Sequence, residues 1–291
     1  MGERGETGPI SPPLAISMTL SALFGMACLN CVEIFILAIH TFKKYTGLYF
    51  WSILIANTGT LFFAIANILR LFGLVANFPI SVALVLNWWV MVTGQSVVLY
   101  SRLHLVTSNR QTIRWVLAMI VTNFFIIHIP VTIVWLGCQL DPGRFLHLFN
   151  VWERVQLSVF TLQEFIISGI YIWEAGHSLK VILANRGQEG QNVIRQLVLI
   201  NSLVILFDIS LCITEFTGYL YVQTTYQPFI YSLKLKMEFI ILNKLIDIIH
   251  RPRYSEAYWQ FLRTYTASTA GQTRSGQTTN YQFSREDMNG P

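Results

Sequence analysis

The chain has 291 residues, 53% of them hydrophobic and only 12% charged, with a net charge of +5. A soluble domain carries about a quarter charged residues, so the composition excludes a soluble globular fold and points to a polytopic membrane protein. The positive balance does not imply nucleic acid, because the basic residues lie scattered between apolar runs rather than in one patch.

Residues 1–13 are polar and contain Pro9, Pro12 and Pro13; they read as a disordered extracellular tail. The apolar run that follows is too long for the core of a secretory signal. Seven spans are then expected, at 14–42, 47–73, 80–106, 113–137, 151–176, 192–222 and 228–250. Each is long enough to cross a bilayer with some tilt. The fold class is therefore an all-α membrane protein, a seven-transmembrane-helix bundle over 14–250. The short connections favour antiparallel neighbours.

The third span carries the most information. Residues 87–106 read NWWVMVTGQSVVLYSRLHLV: apolar first, weakly polar inside, and basic at the end, with Arg102 and His104. That is the profile of a helix leaving lipid on the cytoplasmic side. The same side collects Lys43, Lys44, Arg110, Arg114, Lys180, Arg186 and Arg195, and after span seven Arg251, Arg253 and Arg263. The other side has little beyond Arg4, Arg70 and Arg144. The expected orientation is N-terminus outside and C-terminus in the cytoplasm.

After span seven, Tyr258, Trp259, Phe261, Leu262 and Tyr265 read either as the apolar face of a short interfacial helix at 251–265 or as an aromatic belt. Residues 266–291, rich in Ser, Thr, Gly and Gln, are expected to be a disordered cytoplasmic tail. Cys28, Cys31, Cys138 and Cys212 suggest neither a disulfide framework nor a metal site, and no cofactor is expected. His128 and Pro130 in span four mark a kink with a hydrogen-bonded imidazole.

Ionisable and amide groups in lipid face the bundle interior and often mark function. At about 1.5 Å per residue, a mid-depth layer collects Asn30, Asn57, Gln95, Glu164, Asp208, Asn243 and Lys244, from six of the seven spans. Lys244 is the expected counter-charge for Asp208 or Glu164. Asn201, Asp208, Cys212 and Glu215 share one face of span six, and Gln156, Gln163, Glu164, Tyr171 and Glu174 one face of span five. A second layer, nearer the outside, holds Asn87, Trp88, Trp89, Glu215, Lys234, Lys236 and Glu238. It reads as the base of an outward ligand pocket with aromatic walls. The alternative for both layers is that these side chains only bond helix to helix. Arg102 reads either as a cytoplasmic switch or as a snorkelling anchor.

Four segments carry a resemblance: GLYFWS at 47–52, MVTGQSVVLYSRLHLV at 91–106, FTLQEFIISGIYIWEA at 160–175, and the charged seventh span. They resemble an uncharacterised family of fungal seven-helix integral membrane proteins, defined by a domain of unknown function and covering roughly residues 14–265 here. The resemblance implies a fungal origin, a membrane location and the seven-span layout. The family is loosely similar to fungal G-protein-coupled-receptor-like proteins. This chain departs from receptor patterns: no acidic residue precedes Arg102, and span seven has no Asn-Pro-x-x-Tyr.

Several functions remain open at this stage. One is a receptor-like, non-enzymatic sensor of an unknown small-molecule ligand, read out by a G protein or another cytoplasmic signalling partner. Another is a transporter or proton-coupled carrier using Glu164, Asp208 and Lys244, although no internal repeat is evident. A third is a membrane scaffold without a ligand. Catalysis is not expected, because His40, His104, His128, His147, His177 and His250 are scattered without a nucleophile beside them. The plasma membrane is preferred over internal membranes.

Overall fold

A computed structural model describes residues 13–41, 47–107, 109–174, 176, 187–216 and 220–250, with side chains at all of these except 105, 187–194, 242 and 244–250. The expected tails at 1–12 and 266–291, and the expected interfacial segment at 251–265, lie outside the described residues. Among those described there are seven long helices and no strand. They are α1 (Leu14–Thr41), α2 (Leu48–Leu71), α3 (Asn77–Val106), α4 (Arg110–Leu140), α5 (Pro142–Glu174), α6 (Gly187–Phe216) and α7 (Leu220–His250). The chain divides into two units, Met1–Leu245 and Ile246–Pro291. The first is the helical bundle. Of the second, residues 246–250 are described, and they are helical.

Helices result because a chain this apolar must satisfy its backbone groups within each segment. Six of them, α1 to α6, are long and apolar enough to cross a membrane, as in a multi-pass membrane protein. Their ends follow local chemistry. Gly73 adopts φ 65 after α2, and the bonds Gly73 N–H to Arg70 O and Leu74 N–H to Leu69 O close that helix. Asn109 caps α4, its side chain accepting from the Gln111 N–H at 3.0 Å.

Helices α2 and α3 approach closely. A Cβ placed on Gly94 would lie 2.8 Å from the Ala56 Cβ, and one on Gly59 would lie 2.6 Å from Val90 Cγ1. Only glycine permits that approach. In α4, one π-helical turn spans Phe124–His128, immediately before Pro130. Proline lacks an N–H and crowds the preceding turn, and the wider turn relieves both.

The seventh helix differs most from expectation. It starts at Leu220, eight residues before the expected 228. Gln223, Thr225 and Gln227 read as loop by polarity, yet all three are buried in the bundle. The early start moves every later residue about 12 Å deeper along the helix axis. The expected span six, ending at 222, shortens accordingly to Phe216.

Candidate functional site

Buried positions on α6 are Leu197, Asn201, Val204, Asp208, Leu211 and Glu215, spaced alternately by four and three. That spacing keeps one stripe turned inward from Leu197 to Glu215. On α7 the inward stripe is Gln227, Tyr231, Lys234 and Glu238. On α5 it includes Gln156, Phe160, Glu164 and Tyr171. Where these stripes meet α3, the bundle stacks three layers.

The middle layer is ionic. Lys234 Nζ donates to Glu164 Oε2 at 2.7 Å and to Asp208 Oδ1, joining α7 to α5 and α6. The Tyr231 ring lies 4.8 Å from the same Nζ. Lys234 is wholly buried. A buried charge of this kind is tolerated only when paired.

Another ionic layer lies one turn further along α7. Arg102 of α3 donates to Glu238 of α7, and its Nη2 donates to Asn201 Oδ1 of α6 at 2.6 Å. Asn201 is oriented by its own Nδ2, which donates to the Leu197 carbonyl at 2.8 Å. The guanidinium also covers the Tyr171 ring at 4.1 Å. Arg102 and Glu238 are both fully buried. Arg102 therefore does not snorkel. It ties three helices together from within.

The third layer is a pocket at the end of the bundle that carries the α2–α3 turn. It encloses about 580 Å³, mouth included. Phe63, Trp88, Trp135 and Phe149 supply flat apolar walls, and Asn67, Gln156, Gln223 and Gln227 supply amides. Arg70 lies over the Trp135 ring at 4.7 Å, and Glu153 lines the same space. Beneath the pocket, Trp88, Met91, Phe160, Ile230 and Tyr231 belong to one apolar cluster. That cluster separates the pocket from the ion layers.

A family model described as a domain of unknown function (DUF7703) matches residues 7–254, nearly the whole chain. The chain belongs to this family. No curated protein and no solved structure matches it. The sequence resemblance to a family defined by a domain of unknown function agrees with that membership.

In this DUF7703 chain the residues expected to share an outer pocket separate. Trp88 lines the pocket. Trp89 instead donates from Nε1 to Thr132 Oγ1 at 3.1 Å, and Asn87 bonds back to the Ala83 carbonyl at 2.8 Å. Glu215 is buried within electrostatic reach of Arg154 on α5. Lys234 and Glu238 sit in the ion layers, for the reason given by the early start of α7. Lys236 leaves the site altogether: it pairs with Glu33 of α1 at 2.6 Å on the outer surface of the bundle.

The expected mid-depth set divides too. Glu164 and Asp208 do meet, and their counter-charge is Lys234; the side chain of Lys244 lies outside the described residues. Asn30 bonds Ser232 at 3.3 Å, and Asn57 bonds the Cys31 carbonyl at 2.9 Å, so both join helices. Gln95 is fully buried, and neither of its amide atoms has a partner among the described residues. Asn243 is half-buried on α7. His128 is bonded to Thr93 at 3.0 Å inside a box of Trp88, Trp89, Phe124 and Phe160. Sequence reasoning missed the pocket amides Asn67, Gln223 and Gln227. The signal was present: residues 227, 231, 234 and 238 form one helical stripe, visible only if α7 begins before Pro228.

Proposed function

We propose that this protein is a receptor-like, non-enzymatic seven-helix sensor in a fungal membrane, spanning it seven times with the N-terminus outside. The pocket faces outward, and the Arg102 end faces the cytoplasm and a G protein or another signalling partner. One observation carries the reading. Arg102 is a buried lock across α3, α6 and α7, and Trp88 of the pocket lies fourteen residues earlier on the same helix, about 21 Å away. A rigid α3 would thus link the pocket to a charge pair that must break if α6 or α7 moves. The basic residues Arg110 and Arg114, next along the chain after α3, support the orientation.

The test is proximity labelling in a fungal host from a tag at the C-terminus. Glu238→Gln, which loosens Arg102, is expected to raise labelling of G-protein subunits or another cytoplasmic partner. Arg102→Ala, at equal expression, is expected to abolish it. Identical labelling in wild type and both variants sinks the sensor reading.

A second reading, a proton-coupled carrier, has its own observation. Among the described side chains, the two ion layers hold three carboxylates, Glu164, Asp208 and Glu238, against two cations, Lys234 and Arg102, so −3 + 2 leaves −1. Uncompensated charge is costly at this depth, and one proton or bound cation balances the set. Proton flux in proteoliposomes that Asp208→Asn abolishes would favour this reading, and absence of flux in wild type removes it.

A further inference from the structure

The hydrogen bonds around Asn67 fix what the pocket offers. Thr225 Oγ1 donates its proton to the Tyr221 carbonyl at 2.9 Å. Toward Asn67, 3.1 Å away, that oxygen can only accept, so the Asn67 atom facing it is Nδ2. The orientation of an amide is normally ambiguous; here the threonine settles it. Asn67 Oδ1 is left buried with no hydrogen-bond partner among the described residues, on a residue that lines the pocket and is 2% exposed. Across the pocket on α5, Gln156 Oε1 is a second buried acceptor without a partner among the described residues. Unsatisfied buried acceptors are rare and costly. In a concave, aromatic-walled space they are what a ligand's donor would meet.

Charge narrows the class further. Asn67 and Arg70 stand three residues apart on one face of α2, both buried. An ammonium donor at Asn67 would sit one turn from a guanidinium. A carboxylate would meet two carbonyl-type oxygens. Glu153 lines the same space and offsets Arg70, so the described lining carries no net charge and the partner that suits it is neutral. Trp88 and Trp135 provide faces for a flat body.

We infer that the pocket binds an uncharged ring compound whose hydroxyl or amide N–H donates to Asn67 Oδ1. The inference deepens the sensor reading and rests on its assignment of the pocket as the ligand site.

Four probes that share one naphthalene ring system separate the possibilities: 2-naphthaleneethanol, 2-ethylnaphthalene, 2-naphthaleneacetate and 2-naphthaleneethylamine. Each is titrated against the purified full chain in nanodiscs, with thermal stability as the readout. The alcohol is expected to bind about tenfold more tightly than the ethyl compound, as one good hydrogen bond implies, and more tightly than the acid or the amine. Asn67→Leu is expected to remove the alcohol's advantage over the ethyl compound, a comparison that cancels partition into lipid. Asn67→Asp keeps an acceptor and adds a charge, so preference is expected to pass from alcohol to amine; this variant serves if Asn67→Leu does not fold. Equal binding of alcohol and ethyl compound, tighter binding of either charged probe to wild type, or no stabilisation by any probe up to its solubility overturns the inference. Alcohol binding that leaves cytoplasmic labelling unchanged sustains this inference and sinks the sensor.

Discussion

At the scale of single residues, the bundle's energetics concentrate on Arg102 and Lys234. Each is a cation brought out of water and held by groups from other helices. The pair Arg102–Glu238 illustrates the asymmetry of such contacts. Removing one partner strands the other charge and costs about 3–5 kcal/mol, whereas replacing both by apolar groups is often near neutral. We therefore expect Glu238→Leu alone to lower the midpoint of unfolding in detergent sharply. The double variant Arg102→Leu, Glu238→Leu should recover most of the loss. A double variant as unstable as the sum of the singles would show that the pair contributes little as a pair. Neither partner was linked to the other by sequence pattern, since they lie 136 positions apart.

At the scale of helices, two features decide the arrangement. The first is the α2–α3 contact, where a side chain on Gly94 would press against the Ala56 backbone. Backbone cannot yield as a side-chain tip can. Gly94→Ala is expected to destabilise by about 1–3 kcal/mol, the usual cost of overpacking. Gly169 in α5 has open space around it. Gly169→Ala should leave stability unchanged or raise it by up to about 1 kcal/mol. Equal effects at the two positions, read as thermal midpoints, would refute the close-packing account.

The second feature is α7. It bonds α1 through Ser232, α2 through Thr225, α3 through Glu238, α5 and α6 through Lys234, and α6 again through Tyr226. The helix least suited to lipid by composition is the one to which the apolar helices are tied. Apart from Lys236, the charged side chains described on it, Lys234 and Glu238, turn inward, which is why hydropathy understates it.

At the scale of the whole molecule, the ion layers carry the −1 imbalance derived above. Substitutions should follow that balance. Asp208→Asn brings the set to −2 + 2, while Lys234→Met leaves −3 + 1. Asp208→Asn is expected to yield folded protein at near wild-type levels, and Lys234→Met to lose most of it, measured as monodisperse protein after extraction. Equal yields would mean that charge balance does not govern this core. The stacking of pocket, aromatic floor and ion layers also gives the molecule a polarity from end to end.

Hydropathy along the chain was enough for the membrane class and for the apolar runs of α1 to α6, and the quoted segments for membership of a family defined by a domain of unknown function. Those properties are local: hydropathy is summed along the chain, and a backbone in lipid has to close its own hydrogen bonds. The sequence also placed Glu164 and Asp208 at one depth, because their helices are bounded by clear apolar runs. That Lys234 answers them, that Glu238 holds Arg102, and that amides of α2, α5 and α7 line the pocket follows from helix packing. Pairings across helices depend on rotation and vertical offset. One residue turns a side chain by about 100° and moves it about 1.5 Å. An eight-residue error at the start of α7 was therefore enough to assign its charges to the wrong layer.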